Sequence, residues 1–442
     1  MNISRDIAYK IYNLKKEKKV IFFNRNSQDY MFLEGLSAGL FELLLLDDAD
    51  MTSKWLEKND ISMDDMEEFK KEIVCFENRT QKTLDSQSSS VSGKEEYNPI
   101  LSDFIEELYE NGLYYSFHID LTFRCNEKCI HCYHPFESYQ SSKELSTAEV
   151  KELIDLIDQL GVFHLTLSGG EVLLRKDIFD ILDYISDKGM MISLFTNGVL
   201  LSEDVVLQLQ KYRIKSVSIS LYSDMADVHD QITTIKGSYN KTMSGIEYLK
   251  KYKIPFDLKC VMLAQNVKRA DQILSFFKSL NDGKECKIDF SLCGKLDGDC
   301  GNFKYMPSNQ DVEKIFYSNP ERYIGDEKLL RRSPEQAPCS AGKYGLYCSA
   351  EGYIYPCVSF RLYLCDYKDL PNISENPVLM KWRKTKIKDF TECFKHSYCN
   401  YCTEQCAGNN LIENGNYLNS KVTQCVHAQI IEKWFRMKEE GR

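Results

Sequence analysis

Cys125, Cys129 and Cys132 lie within eight residues of the stretch LTFRCNEKCIHCYHP, spaced C-x3-C-x2-C directly after an apolar run. Thiolates grouped in this way bind iron–sulfur clusters, zinc or copper(I). A structural zinc takes four protein ligands and disulfides consume cysteines in pairs, yet no fourth cysteine is near. Three thiolates suit a 4Fe–4S cube that leaves one iron open to a non-protein ligand. The competing arrangement is a zinc site completed by His131 or His134.

Eight further cysteines crowd the last third of the chain: Cys339, Cys348, Cys357, Cys393, Cys399, Cys402, Cys406 and Cys425. With the first three they make eleven of seventeen, and Cys75, Cys260, Cys286, Cys293, Cys300 and Cys365 read as small buried hydrophobes. The N-terminus, MNISRDIAYKIYNLKKEKK, is charged throughout and has no apolar signal-peptide region, which implies a cytoplasmic protein. Thiols stay reduced there, so clustered cysteines point to metal rather than to disulfides. A net charge of −10 argues against a nucleic-acid partner. A mean hydropathy of −0.40, with no long uncharged apolar run, excludes a membrane span.

The 442 residues are long enough for two or three domains. Polar, serine-rich residues 77–99 read as a linker after a first domain, 1–76. That domain offers KKVIFFN and DYMFL as strands, then LSAGLFELLLLDD, MTSKWLEKN and MDDMEEFKKEIVCF as helices, a small winged-helix-like order. Over residues 100–310 the strands YSFHIDLTF, FHLTLSG, MISLFTN, SVSISLY, FDLKCVML and CKIDFSL alternate with amphipathic helices. Six such units imply an α/β fold, a parallel sheet curled into a partial or full barrel. Residues 311–442 are loop-rich, with a composition that suits metal-held structure. The cysteine loop follows the first barrel strand, at the end where barrel enzymes build active sites.

Other strand ends carry polar or small residues. Gly169, Gly170 and Glu171 follow the second strand, Asn197 and Gly198 the third, and Ser218 and Ser220 share one face of the fourth. Val261 and Leu263 lie on the fifth. Each of these alone reads as a turn, an ordinary strand serine or a core side chain.

Taken in order on successive strands, these marks resemble the radical S-adenosylmethionine (SAM) superfamily. Its signature is C-x3-C-x-φ-C with φ usually aromatic; here His131 holds the φ position and Tyr133 follows Cys132. The resemblance implies that SAM binds the open iron and is cleaved to a 5′-deoxyadenosyl radical. It also implies that the backbone at Gly169 and Gly170 approaches SAM, that Glu171 accepts from its ammonium, that Asn197 belongs to the cofactor site, that Ser218 and Ser220 serve the ribose or carboxylate, and that Val261 and Leu263 flank the adenine. HDQITTIKGSY resembles the family's segment after the fourth strand, although Thr233 stands where many relatives have arginine.

The C-terminal cysteines resemble the SPASM extension, C-x9–15-G-x4-C, then C-x2-C-x5-C-x3-C, then a last C. Cys339, Gly352 and Cys357 fit the first part, and Cys402, Cys406 and Cys425 the end. In the middle His396 stands where a cysteine belongs and Cys399 is extra, so either His396 ligates an iron or Cys399 replaces the missing thiolate, the thiolate being the usual iron–sulfur ligand. By the resemblance one auxiliary cluster takes Cys339, Cys348, Cys357 and Cys406, and the other takes Cys393, Cys399, Cys402 and Cys425, for three 4Fe–4S clusters in all. One or two structural zincs are the alternative.

Residues 1–76 resemble the recognition domain of ribosomal-peptide maturases, which binds a leader peptide as an added strand. Fifteen acidic against eleven basic residues there speak against DNA. The resemblance as a whole implies a maturase of a precursor peptide carrying a leader, reduced by a flavodoxin- or ferredoxin-type donor, with thioether formation as the expected link. The alternatives are carbon–carbon cross-linking, formylglycine formation, and a non-catalytic iron–sulfur or zinc scaffold that binds peptide. Formylglycine-forming relatives carry aspartate after the cysteine equivalent to Cys357, where this chain has Val358.

Overall fold

Alternating apolar residues near the N-terminus form an antiparallel sheet of three strands, β1 (Ile7–Asn13), β2 (Lys18–Asn24) and β3 (Asp29–Glu34), in that spatial order. The computed structural model describes residues 1, 3–79, 98–135, 143–284, 286, 288–325, 333–390, 392, 395–402, 406–419 and 425–440. Most of the stretch expected as a linker lies outside them. KKVIFFN is apolar on both faces because it is the middle strand, with a layer on either side. Val20 and Phe22 pack against Phe41, Ile73 and Phe76 of the helices Gly35–Leu46 and Met63–Glu77. Ile21 and Phe23 pack toward Phe104 and Leu108 of helix Pro99–Glu110, and toward Phe163 and Met191 of the barrel. Ser62 and Asp65 form a reciprocal capping box that starts helix Met63–Glu77.

KKVIFFN and DYMFL are the two strands the sequence offers as an edge for an added peptide strand; KKVIFFN is β2, the central strand, and has no free edge. β1 faces the barrel. Arg213 Nε donates to Ile7 O at 2.6 Å, Tyr12 OH to Gly161 O at 2.8 Å, and Lys10 pairs with Asp158 at 2.5 Å. The outer edge of β3 pairs with no other strand among the described residues.

Five parallel strands follow in chain order: β4 (Ser116–Asp120), β5 (His164–Ser168), β6 (Met191–Thr196), β7 (Ile214–Ser220) and β8 (Phe256–Lys259). Helices Thr147–Gln159, Ile178–Asp187, Glu203–Leu209 and Ser238–Lys251 make the crossovers, and Ala270–Leu280 follows β8. Among the described residues of the expected sixth strand CKIDFSL, the pairing is one parallel bridge, Val261 to Asp289. On the opposite edge β9 (Gly345–Cys348) pairs parallel with β4, and β10 (Tyr353–Tyr355) and β11 (Cys365–Asp366) continue antiparallel. The result is an α/β partial barrel whose sheet the C-terminal region extends. No helix among the described residues is long and apolar enough to cross a membrane.

A parallel sheet buried on both faces reads as continuous apolar runs. This one alternates. Phe117, Ile119, Leu165, Leu167, Ile192, Leu194, Val217 and Ile219 pack under the helices. The residues between them, which strand geometry turns to the inner face, include His118, Asp120, Thr166, Ser168, Ser193, Ser216 and Ser218. The barrel is lined for polar contents.

Candidate active site

The cysteine loop leaves β4 at its C-terminal end and is held by its backbone. Ile130 N donates to Ile232 O at 2.9 Å and Lys128 N to Thr233 O at 3.2 Å, while Thr234 Oγ1 donates to Lys128 O at 3.1 Å. HDQITTIKGSY is thus the loop's buttress. Thr233 is fully buried and its hydroxyl meets Ser238 Oγ at 2.7 Å. From the other side Gly170 N donates to Thr122 O and Glu171 N to Arg124 O, both at 2.8 Å. Arg175, buried, donates to Leu121 O at 2.8 Å and grips Asp177 with two bonds of 2.8 Å.

The two glycines are required by that contact. Gly169 sits at φ +133°, and a Cβ on it would fall 2.3 Å from Thr122 O; one on Gly170 would fall 2.3 Å from Arg124 O. Gly170→Ala must push the second strand's turn away from the cysteine loop. It is expected to cost about 3 kcal/mol and to lower the iron retained after reconstitution, read by thermal melting and iron assay.

Glu171 is fully buried and spent within the protein. It accepts from Thr196 Oγ1 at 2.9 Å, Asn197 N at 2.8 Å and Leu173 N at 3.0 Å. Its place is beneath the Thr196–Asn197 turn, and burial pushes its carboxyl pKa up. Asn197 is the residue that turn delivers to the loop, its amide donating to Asn126 Oδ1 at 2.7 Å and reaching Cys125 Sγ at 3.9 Å.

Cys129 donates to Glu127 Oε2 at 3.5 Å, and Cys125 accepts from Glu127 N at 3.4 Å. Burial pushes the Glu127 carboxyl up to about 7 and the Cys125 thiol to about 11. His131 is buried edge-on to Tyr222, ring centres 4.8 Å apart, and burial lowers its pKa to about 4. It stays neutral and packs. His134 turns the other way, into the barrel, with Nε2 3.5 Å from Asp120 Oδ2. Neither histidine joins the thiols as the fourth arm of a zinc site.

Residues 119–277 match the family model described as the Radical SAM superfamily. The chain carries a radical SAM domain. An AdoMet-dependent heme synthase of Methanosarcina barkeri is 34% identical over 161 residues, covering 36% of this chain and 46% of that protein. The chain therefore spans under half the length of that relative. The subtilosin biosynthesis protein AlbA of Bacillus subtilis is 27% identical over 64% of this chain and 66% of its own. Among solved structures, Streptococcus suis SuiB bound to S-adenosylmethionine superposes with a TM-score of 0.56 over 96% of this chain and 99% of that one, at 16% identity. The fold is shared along nearly the whole length.

Three thiols on a backbone-fixed loop at the mouth of a polar-lined radical SAM barrel fit one 4Fe–4S cluster with SAM. No three His, Cys, Asp or Glu side chains among the described residues converge on a single ion's position; a cluster takes one thiol at each iron, so its ligands stand apart.

The other expected contacts lie at the C-terminal ends of β7 and β8. Ser218 Oγ donates to Asp257 Oδ1 at 2.8 Å, and Ser220 bonds to the Tyr222 hydroxyl. Val261 is half-buried beside Asp289, whereas Leu263 is fully buried in the core. Of the residues carried over, Gly169, Gly170, Glu171 and Asn197 gather at the loop; Leu263 does not.

What sequence reasoning missed is the group around Asp120. This carboxylate is buried, with Tyr347 OH donating to Oδ2 at 2.6 Å and Arg361 Nη2 donating to that hydroxyl at 2.7 Å. The Arg361 guanidinium lies over the Tyr347 and Tyr355 rings, at 4.3 and 5.0 Å. His118 Nε2 stands 3.5 Å from Oδ1, an oxygen with no hydrogen-bond partner among the described residues. Burial opposes ionisation, but the His118 imidazole, with the charges of His134 and Arg361, outweighs it and holds the carboxyl down at about 2. Below lies a cavity of about 310 Å³ whose walls include His118, His164, Thr166, Tyr347 and Cys357. The alternating polar residues of SFHID and HLTLS were the available signal.

The C-terminal thiols come from short elements. Cys399 and Cys402 lie in and just after the turn Ser397–Tyr401, which rests on helix Val426–Glu439 through Tyr401 stacked on Phe435 at 5.6 Å. Cys425 starts that helix and Cys406 starts helix Ala407–Asn414, where the macrodipole favours a thiolate. His396 is exposed and stacked on Tyr398 at 4.9 Å. Cys393 lies outside the described residues.

Proposed function

We propose that this chain matures a ribosomally synthesised precursor peptide, joining a cysteine sulfur to a carbon of the same peptide. The observation that carries the reading is the cysteine loop set over a barrel with a polar inner face, in a fold shared end to end with SuiB. The alignment with AlbA, a protein of subtilosin biosynthesis, points to the same substrate class. With SAM and a 4Fe–4S cluster on Cys125, Cys129 and Cys132, the site supplies a 5′-deoxyadenosyl radical able to take hydrogen from a peptide carbon.

The protein's own groups bind and orient. Glu171, Thr196 and the two glycines fix the loop and present Asn197 to it. Asp120 Oδ1, buried and ionised at the C-terminal end of β4, accepts a peptide N–H, and His118 stands beside it. Thioether formation removes a hydrogen atom from carbon, a proton from the thiol and one electron. The remaining thiol sets are assigned to two auxiliary clusters, which supply an acceptor for that electron, and a flavodoxin- or ferredoxin-type protein is the external donor.

The leader docks along the outer edge of β3, beside helix Met63–Glu77, as an added strand. A docking contact that is equally strong in the bound ground state and the transition state is lost as a higher KM at unchanged kcat, and the leader contact here is of that kind. A core peptide lacking its leader is therefore expected to lose about tenfold or more in kcat/KM, carried by KM, with kcat little changed.

The test of the link is anaerobic reaction with the precursor peptide encoded beside this gene, followed by tandem mass spectrometry. The expected product has lost two hydrogens per link, and one cysteine resists alkylation. The same loss with every thiol still alkylated rejects the thioether.

A further inference from the structure

Cys293 reads in the sequence as one more small buried hydrophobe; the fold places it among the auxiliary thiols. After the bridge at Asp289, the chain runs from Phe290 to Cys293 along a cavity of about 860 Å³ whose walls also carry Ser359, Cys406 and His427. The segment is tied to the radical SAM loop. Asn302, 2% exposed, donates its amide to Cys293 O at 2.8 Å and to His131 O at 3.2 Å, and Leu296 N donates to Tyr133 O at 3.0 Å.

The facing wall is equally fixed. A Cβ on Gly408 would fall 2.1 Å from Ser359 O, so the helix that Cys406 starts lies directly on the backbone after Cys357. Phe360 N donates to Cys357 O at 3.2 Å and closes that turn. Cys293, Ser359 and Cys406 share the wall of that cavity. Gly342 N donates to Pro356 O at 2.9 Å, which lays the turn after Cys339 against the residue before Cys357.

Cys348 is elsewhere. On β9 Tyr347 turns inward to Asp120, so strand alternation sends Cys348 to the opposite face. There it is fully buried in the apolar core, its thiol directed at Ser349 O at 3.3 Å.

We propose that Cys293, rather than Cys348, completes the first auxiliary set with Cys339, Cys357 and Cys406, on the cavity wall that Asn302 links to the radical SAM loop. This rests on the auxiliary clusters of the proposed function and names their fourth ligand, one that lies 46 residues before Cys339. A cluster held here is tied to both regions, because one amide side chain spans the Cys293 and His131 carbonyls.

The test compares anaerobically reconstituted full-length wild type, C293A, C348A and C339A by iron and sulfide assay and by electron paramagnetic resonance. Wild type is expected to hold about twelve irons. C293A and C339A are expected to lose about four, or to gain a three-iron signal, while C348A keeps the wild-type count. Retained SAM-cluster absorbance and unchanged far-UV circular dichroism report folding. As a second measurement, Cys293 is expected to resist iodoacetamide in the iron-loaded wild type and to react once a chelator strips the iron. A C293A protein with full iron and an unchanged spectrum overturns the assignment, as does alkylation of Cys293 in the loaded protein. A wild-type count of about four overturns both this assignment and the auxiliary clusters beneath it.

Discussion

Anaerobically reconstituted Cys129→Ala protein is expected to form no 5′-deoxyadenosine above background, while its fold is retained. The physical reason is that the loop is built by its backbone and not by its thiols. Ile130 N and Lys128 N are tied to Ile232 O and Thr233 O, and Cys132 N to Cys129 O at 3.0 Å. Removing Sγ leaves each of these bonds in place. It also leaves two thiols where a cluster with one open iron needs three, and neither His131 nor His134 points at the vacancy. Cys125→Ala and Cys132→Ala share the outcome. Cys75→Ala, exposed on helix Met63–Glu77, is the control and keeps full activity. Deoxyadenosine by liquid chromatography and circular dichroism on the same samples give both readings.

Asp120→Asn is expected to separate SAM cleavage from peptide modification. The substitution keeps volume and an oxygen for the Tyr347 hydroxyl but removes the charge that faces His118, His134 and Arg361. A peptide held about an ångström out of place loses on the order of 100-fold in rate. Modified peptide should fall by about that factor while deoxyadenosine still forms, now uncoupled from product. The same carboxylate bears on acid stability. Its folded pKa of about 2 lies below the ordinary 3.8, so its stabilisation is present above about pH 4 and is lost as pH falls from there toward 2. The shift corresponds to on the order of 2 kcal/mol. The acid limb of wild-type unfolding should therefore be steeper than that of Asp120→Asn.

The sequence was most legible where pattern is local. KKVIFFN, FHLTLSG and MISLFTN fold as strands, and the helices from TAEVKELIDLIDQL to VKRADQILSFFKSL form where their apolar periodicity placed them. IAYKIYN escaped notice because its strand alternates among lysines and tyrosines whose partners, Asp158 and Gly161, lie about 150 residues away. CKIDFSL has strand composition, yet among its described residues the bridge is at Asp289 alone, while the sheet grows at the other edge, where β9 docks on β4. Long-range pairing of that kind leaves no local trace.

At the site, spacing alone disclosed the three thiols, and glycine pairs disclosed the turn beneath them. It did not disclose that Glu171 is consumed by Thr196 and Asn197, which depends on register between strands. The Asp120 group unites β4 with β9 and Arg361, more than 220 residues later in the chain. The proposed exchange of Cys348 for Cys293 rests on the same kind of information: face on a strand and position in a cavity, which a spacing motif does not encode.

The decisive step is hydrogen abstraction from a peptide held in this barrel. A precursor peptide deuterated at its core carbons, reacted anaerobically with reduced protein and SAM, reads it out. The expected product is 5′-deoxyadenosine carrying one deuterium, formed in proportion to modified peptide. Unlabelled deoxyadenosine alone, or none at all from a protein with its cluster loaded, would contradict it.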